Sequence, residues 1–231
     1  MTIQCYSWPT PNGHKVHIML EECALPYEVH GVDIGAGEQF APAFLKISPN
    51  NKIPAIVDPD GPDGKPISLF ESGAILLYLA GKTGQFLPKD TAGKYKVMEW
   101  LMWQVGGFGP MLGQAHHFRI YAPERIQYAY DRYTNEAKRL YGVLDKQLGK
   151  HEFVAGKQYT IADMAIFPWC RSAANQGIDW ADFPNAKRWF DAIDARPAVQ
   201  RGVQVLADRR KPLMDDKAKQ ALFGAQQYQK R

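Results

Sequence analysis

The segments of this chain that resemble strands are confined to its first 70 residues, which restricts the folds available to it. They are short runs rich in β-branched and aromatic residues, bounded by proline, glycine or aspartate. The predicted strands are residues 3–7, 27–34, 52–58 and 66–70. Apolar residues at helical spacing lie between and after them. The predicted helices are residues 12–23, a short proline-interrupted stretch at 38–47, and residues 71–84. The expected order is therefore βαβ-α-ββα.

Beyond Phe86-Leu87-Pro88 the sequence predicts helices alone. The predicted helices are residues 91–118 with a break near Gly106–Pro110, residues 123–148 with Pro123 in the first turn, one opened by the capping pair Thr160 and Asp163, and one ending at Pro197. The fold class is α/β plus all-α. We expect an α/β domain over 1–87 and an all-helical domain over 91–231, whose last twenty residues favour disorder.

Charge and hydropathy exclude several classes of function. Residues 197–231 carry eight Lys or Arg against three Asp or Glu, so the remaining 196 residues contribute −1 to the net charge of +4. A basic tail on a neutral body is typical of a solubilising or docking segment, and no nucleic-acid motif accompanies it. No apolar run approaches the ~18 residues of a membrane helix. The N-terminus does not resemble a secretory signal, so we expect a cytoplasmic protein without nucleic-acid or membrane partners.

The cysteines and histidines give little support to a redox or metal centre. Cys5, Cys23 and Cys170 form no C-x-x-C pair and no zinc-ligand spacing, which favours reduced, buried thiols. A redox role for Cys5 or Cys23 is the alternative. His116 and His117 are adjacent, and neighbouring helical side chains point about 100° apart, so we expect no metal site.

Three stretches, taken in order and spacing, carry a family resemblance. They are TPNGHKV at 10–16, SPNNKIPAIVD at 48–58 and SLFESGAILLYLA at 68–80, followed later by WQVGGFGPMLGQAHHF. With them the chain resembles the cytosolic glutathione transferases, and the bacterial Nu class in particular. The resemblance covers nearly the whole chain except the basic tail. It implies a thioredoxin-like N-terminal domain, an all-helical C-terminal domain, glutathione as cosubstrate and a homodimer.

The resemblance assigns roles to residues that have ordinary structural explanations. It implies that the Ile53-Pro54 bond is cis and that the Ile53 backbone pairs with the cysteinyl part of glutathione, by strand addition in miniature. Glu71 and Ser72, otherwise a helix cap, would hold the γ-glutamyl end. It further implies that Gln39 and Lys52 bind the glycyl end. Arg132 would hold a glutathione carboxylate or a second glutathione. Without the resemblance, each of these three would be interpreted as an ordinary surface residue.

The segment YSWPTPNGHKV contains the residues expected to face the glutathione sulfur. By the resemblance these are Thr10 and Asn12, whose hydroxyl and amide hydrogens, with the positive end of a helix dipole, can stabilise a thiolate. Tyr6 is the main rival as thiol activator, although a strand tyrosine packed against the sheet explains it as well. Ser7 is a lesser rival.

The activity implied by the resemblance is glutathione-dependent reduction of small disulfides. Two glutathione molecules, or one oxidised dimer, would occupy the site, and no protein cysteine would take part. Conjugation of glutathione to electrophiles is the enzymatic alternative, with the aromatic segment EWLMWQVGGFGPM either lining a pocket or forming core. A non-catalytic module that docks partners, through its basic tail for instance, is the alternative from another class.

Overall fold

A computed structural model describes residues 1–209 and 216–229 of the chain. Its N-terminal part is built on a four-stranded sheet with the spatial order β2-β1-β3-β4. The strands are β1 Ile3–Ser7, β2 Tyr27–Gly31, β3 Ala55–Asp58 and β4 Ile67–Phe70. β1 is parallel to β2 and antiparallel to β3, which is in turn antiparallel to β4.

Three helices complete the N-terminal part. They are α1 Pro11–Glu22, α2 Pro42–Leu45 and α3 Ser72–Thr83, with a 3₁₀ turn at Glu38–Phe40 before α2. The predicted order βαβ-α-ββα is therefore confirmed. α1 is buried along eight consecutive residues, from Gly13 to Leu20, so it is a core helix and not a surface one.

Three predicted strands are longer than the observed ones, β4 by only one residue. β2 ends at Gly31 because Asp33 turns the chain, its Oδ1 accepting from the backbone amides of Gly35 and Ala36 at 3.0 and 3.1 Å. β3 begins at Ala55, after the Ile53-Pro54 peptide bond, which is cis. Pro54 has no amide hydrogen to contribute to a ladder of hydrogen bonds.

The regular elements that the structure describes beyond residue 90 are helices, apart from an isolated β-bridge between Phe153 and Gly156. The helices are α4 Thr91–Trp103, α5 Gly109–His116, α6 Gln127–Leu148, α7 Ile161–Cys170, α8 Pro184–Asp194, α9 Pro197–Gln204 and α10 Asp216–Phe223. The predicted capping box is present at the start of α7, where Asp163 accepts from the backbone N–H and the hydroxyl of Thr160. Asp163 also accepts from Trp189 Nε1 and Val154 N, so it joins α7, α8 and the loop before α7.

The helical prediction differs from the structure in two details. The break expected near Gly106–Pro110 is a π-helical turn, Gln104–Phe108, in which Gly109 N donates to Gln104 O and the chain passes directly into α5. The wider turn accommodates a proline in the next turn, since Pro110 cannot donate. The long helix begins at Gln127 and not at Pro123, which lies in the preceding bend.

Contacts divide the chain into two compact units. The first comprises Met1–Ile75 with the described residues from Arg201 onward, and the second comprises Leu76–Gln200. The tail residues Asp216–Phe223 form a helix where the sequence favoured disorder, while residues 210–215 and 230–231 of the tail lie outside the described residues. No helix in the described part of the chain has the length and apolarity needed to cross a bilayer.

Candidate functional site

The sheet register brings the predicted glutathione residues of the first unit to one end of the sheet. Tyr6, one residue before the end of β1, is opposite Ala55 at the start of β3, and Ala55 is opposite Phe70 at the end of β4. The turn into α1, the Ile53-Pro54 bond and the Glu71-Ser72 turn therefore leave the sheet at the same end. Ser7 O accepts from Val32 N at 2.9 Å, so the loop that leads to Gln39 starts there too.

Thr10 is the N-cap of α1. Its backbone is extended, with φ −116° and ψ 165°, and its Oγ1 accepts from the backbone N–H of Gly13 at 3.2 Å. A hydroxyl has two lone pairs and one proton, so capping leaves that proton able to donate. Asn12 follows in the first turn of the helix and, like Thr10, is half-buried. Donors and the positive end of a helix dipole are the requirements for holding a thiolate.

Gly13 allows the start of α1 to lie against the turn after β1. A Cβ at this position would lie 2.1 Å from Trp8 O and 2.6 Å from Ser7 Oγ. No side chain fits at such distances without moving the backbone. The close approach therefore depends on glycine and sets the position of Thr10 relative to β1.

Glu71 and Ser72 start α3, and Lys15 lies beneath them. Glu71 has φ +69°, a left-handed conformation that is strained for a residue with a side chain and that recurs at functional sites. The Glu71 side chain is exposed, whereas Ser72 is buried, and Ser72 Oγ accepts from Lys15 Nζ at 3.2 Å. Burial lowers the pKa of Lys15 to about 7, and the negative charge of Glu71 opposes that shift.

Lys15 was not among the residues predicted from the sequence, although a signal was present. Lys15 precedes Ile18 by three residues and Met19 by four, and both of these are fully buried. Residues at that spacing share one face of a helix. A lysine on the apolar face of a core helix therefore indicated a buried cation.

Gln39, Lys52 and Ile53 lie in the same unit. Gln39 is buried; its Nε2 donates to Ile34 O at 3.2 Å, and its Oε1 has no hydrogen-bond partner among the described residues. Lys52 is exposed and donates to Gln227 Oε1, from the tail, at 3.0 Å. Ile53 packs against the buried cluster of Val32, Phe44 and Ala55.

The rivals for thiol activation occupy less suitable positions. Tyr6 packs against the same cluster as Ile53, and its ring stacks on His30 with 4.7 Å between centroids. This is the packed strand tyrosine that was the alternative explanation. Ser7 is fully buried, and its Oγ has no hydrogen-bond partner among the described residues.

None of the three cysteines forms a disulfide, and two of them are deeply buried. Cys5 and Cys170 are 0% and 1% exposed, and burial raises the pKa of each thiol to about 12. At pH 7 such a thiol is ionised in roughly one molecule in 100,000, which makes it a very poor nucleophile. Cys23 is half-buried at the end of α1.

The remaining candidates lie in the second unit. Arg132 is exposed on α6, where its charge helps to lower the pKa of Glu136, after the hydrogen bond and charge of Arg139. Its role toward glutathione stays a prediction.

The His116 ring stacks on Tyr121 with centroids 5.0 Å apart. Within residues 1–209 and 216–229, no three His, Cys, Asp or Glu side chains are grouped so as to hold a metal ion. In the aromatic segment, Leu101 and Phe108 are fully buried core.

Comparisons with known proteins agree with this architecture. Residues 1–81 match the glutathione S-transferase N-terminal domain, and residues 108–197 match the C-terminal domain of the same family. The chain is 54% identical, over 85% of its length and 92% of the relative, to the disulfide-bond oxidoreductase YfcG of Escherichia coli. This chain therefore belongs to the glutathione transferase family, as its sequence predicted.

Two solved structures of similar proteins contain glutathione. A glutathione transferase from Burkholderia graminis, with two glutathione molecules per subunit, matches with a TM-score of 0.84 and 51% identity over 88% of each chain. One from Pseudomonas putida, with one glutathione disulfide per subunit, matches with a TM-score of 0.85 and 47% identity over 88% of this chain and 91% of that one. The predicted fold class, a thioredoxin-like domain followed by a helical one, is confirmed.

Proposed function

We propose that this protein is a glutathione-dependent disulfide reductase whose reacting thiols all belong to glutathione. The observation that carries the proposal is the start of α1, where Thr10 and not a cysteine caps the helix. The cysteine nearest in sequence, Cys5, faces the core with its thiol pKa raised to about 12 by burial. Similar proteins bind two glutathione molecules or one glutathione disulfide, which are the reactants and the product of such a reaction.

The reaction requires two thiol–disulfide exchanges. One glutathione thiolate attacks a sulfur of the substrate disulfide, forms a mixed disulfide and releases the first product thiolate. The second glutathione thiolate attacks the glutathione sulfur of the mixed disulfide, forms oxidised glutathione and releases the second product thiolate. Two electrons pass from the two glutathiones to the substrate. The protein supplies orientation and thiolate stabilisation.

Individual residues take the following parts in the proposal. Thr10 and Asn12 donate to the glutathione thiolate, the Ile53 backbone pairs with the cysteinyl unit, and Glu71 with Ser72 binds the γ-glutamyl end. Gln39 and Lys52 bind the glycyl end, and Arg132 binds a carboxylate of one of the two glutathiones. The buried Gln39 Oε1, which lacks a hydrogen-bond partner among the described residues, supports an assignment to ligand binding. We further propose a homodimer that works in the cytosol, where the glutathione pool is reducing.

A cysteine-free variant tests this proposal. Cys5, Cys23 and Cys170 are changed together to serine, and the fold is checked by circular dichroism. Turnover of a small dialkyl disulfide with glutathione is then measured as formation of oxidised glutathione. We expect the folded variant to retain the kcat/KM of the wild type within about twofold. Burial keeps the thiols of Cys5 and Cys170 protonated, and Cys23 lies at the end of α1 opposite Thr10.

The result that overturns the mechanism is loss of turnover in a folded variant, and single substitutions then identify the thiol involved. Because Cys5 and Cys170 are core residues, a second variant with alanine at both positions guards against a folding defect caused by buried hydroxyls. Absence of turnover in the wild type, together with a thioether product from an aryl halide, would favour conjugation instead.

A further inference from the structure

Lys15 is a buried lysine that the reaction described above does not use. It is 2% exposed within α1, and its Nζ donates to Ser72 Oγ at 3.2 Å. A buried ammonium is costly unless it is paired. The negative charge of Glu71, from the turn between β4 and α3, acts on Lys15. A cation, an anion and a hydroxyl from α1 and the start of α3 are therefore grouped at the sheet end where the γ-glutamyl group is expected.

The hydrogen bond from Lys15 determines how Ser72 can bind a ligand. An ammonium has only donors, so Ser72 Oγ is the acceptor in this pair. Its single proton is then left to be donated to a further acceptor. An acceptor placed at the N-terminus of α3, such as a carboxylate, would receive that proton together with backbone N–H groups.

We propose that Lys15 is a positioning residue for the substrate: it orients the Ser72 hydroxyl and supplies the buried positive charge against which the α-carboxylate of the γ-glutamyl group binds. This inference rests on the proposed function. The γ-glutamyl end carries an ammonium and a carboxylate on one carbon. Glu71 matches the ammonium, and Lys15, acting through Ser72, matches the carboxylate. Glu71 and Lys15 together thus favour a ligand that carries both an ammonium and a carboxylate on one carbon over a ligand that carries only one of them.

The proposal predicts which part of the ligand is sensitive to Lys15. S-methylglutathione serves as the probe, because its sulfur neither ionises nor reacts. It is compared with two S-methyl analogues, one with a γ-aminobutyryl group that lacks the α-carboxylate and one with a glutaryl group that lacks the α-ammonium. Affinities are measured by titration calorimetry for the wild type, for Lys15→Met, which keeps the length and apolar stem, and for the control Lys46→Met at an exposed lysine.

We expect Lys15→Met to weaken binding of S-methylglutathione and of the glutaryl analogue by about tenfold or more, the usual effect of losing a charge-assisted interaction. Binding of the γ-aminobutyryl analogue should change by less than about twofold, because it lacks the group that Lys15 serves. Lys46→Met should behave as the wild type with every ligand. A general structural effect of Lys15→Met would weaken all three ligands alike, which would overturn the proposal.

A second measurement needs no variant. The ammonium of Lys15 is present below its pKa of about 7 and is lost as the pH rises above it. Wild-type affinity for S-methylglutathione should therefore fall between about pH 6 and pH 8, while that for the γ-aminobutyryl analogue stays level. Equal pH profiles for the two ligands would also overturn the proposal. Failure of the wild type to bind S-methylglutathione at all would refute the proposed function itself.

Discussion

Substitutions of Thr10 separate its capping of α1 from the donation to the glutathione thiolate that we propose for it. Its Oγ1 caps α1 by accepting from Gly13 N at 3.2 Å, while its proton is available to a thiolate. Thr10→Ala removes both functions, and Thr10→Ser keeps both. Thr10→Asp keeps a capping acceptor but has no proton to donate, and it places a negative charge beside the sulfur.

The expected magnitudes follow from these contacts. Loss of the cap in Thr10→Ala should lower the free energy of unfolding by about 1 kcal/mol. Loss of a donor to an anion costs about 1.5 kcal/mol. Since one pKa unit corresponds to about 1.4 kcal/mol, the pKa of bound glutathione should rise by about one unit. The free energy of unfolding of Thr10→Asp should lie within about 0.5 kcal/mol of the wild-type value, because aspartate is a good N-cap. The same variant should raise the pKa of the bound glutathione thiol further, because its negative charge opposes formation of the thiolate.

Two assays measure these effects independently. Urea denaturation gives the free energy of unfolding, and the ultraviolet absorbance of the thiolate, followed against pH at saturating glutathione, gives the thiol pKa. We expect Thr10→Asp to be stable but poor at ionising glutathione. An unchanged thiol pKa in Thr10→Ala and Thr10→Asp would refute the assignment of Thr10 as a thiolate donor and return Tyr6 to consideration.

Two further predictions concern other parts of the first unit. Burial, and then the charge of His14, lowers the pKa of His17 to about 3, so its neutral form stabilises the fold above pH 6.5 and this contribution is lost as the pH falls toward 3. At pH 5 the loss should be about 2 kcal/mol of the free energy of unfolding. Urea denaturation should show that the stability of His17→Gln falls less with decreasing pH than that of the wild type. An equal fall in both proteins would contradict the prediction. The Lys52 ammonium donates a hydrogen bond to Gln227 Oε1, which competes with a glutathione carboxylate for the same group. Gln227→Ala should therefore tighten glutathione binding, measured by calorimetry, by about twofold to fivefold. That gain should vanish in a Lys52→Met background, and weaker binding in Gln227→Ala alone would show that the tail supports the site instead.

Features that depend on neighbours within a few residues were predictable from the sequence. The short run of β1 bounded by Pro9, the helical spacing in α1 and the capping pair Thr160 and Asp163 are all local patterns, and the structure contains each of these elements. Local patterns were less reliable at the ends of elements. Pro123 can start a helix, but the chain begins α6 four residues later, and a proline pattern does not distinguish the two cases.

The sequence by itself determined the order of strands and helices and placed the start of α1 beside Gly13. Its resemblance to a known family also indicated the family and the cis bond before Pro54. Only the tertiary structure decided which distant side chains meet. Lys15 and Ser72 are separated by 57 residues, and Lys52 and Gln227 by 175. Such pairs form because the sheet register and helix packing bring their backbones together, and no local periodicity records the partner. The contact of Lys15 with Ser72 and the tail contact at Lys52 therefore became visible only in the fold.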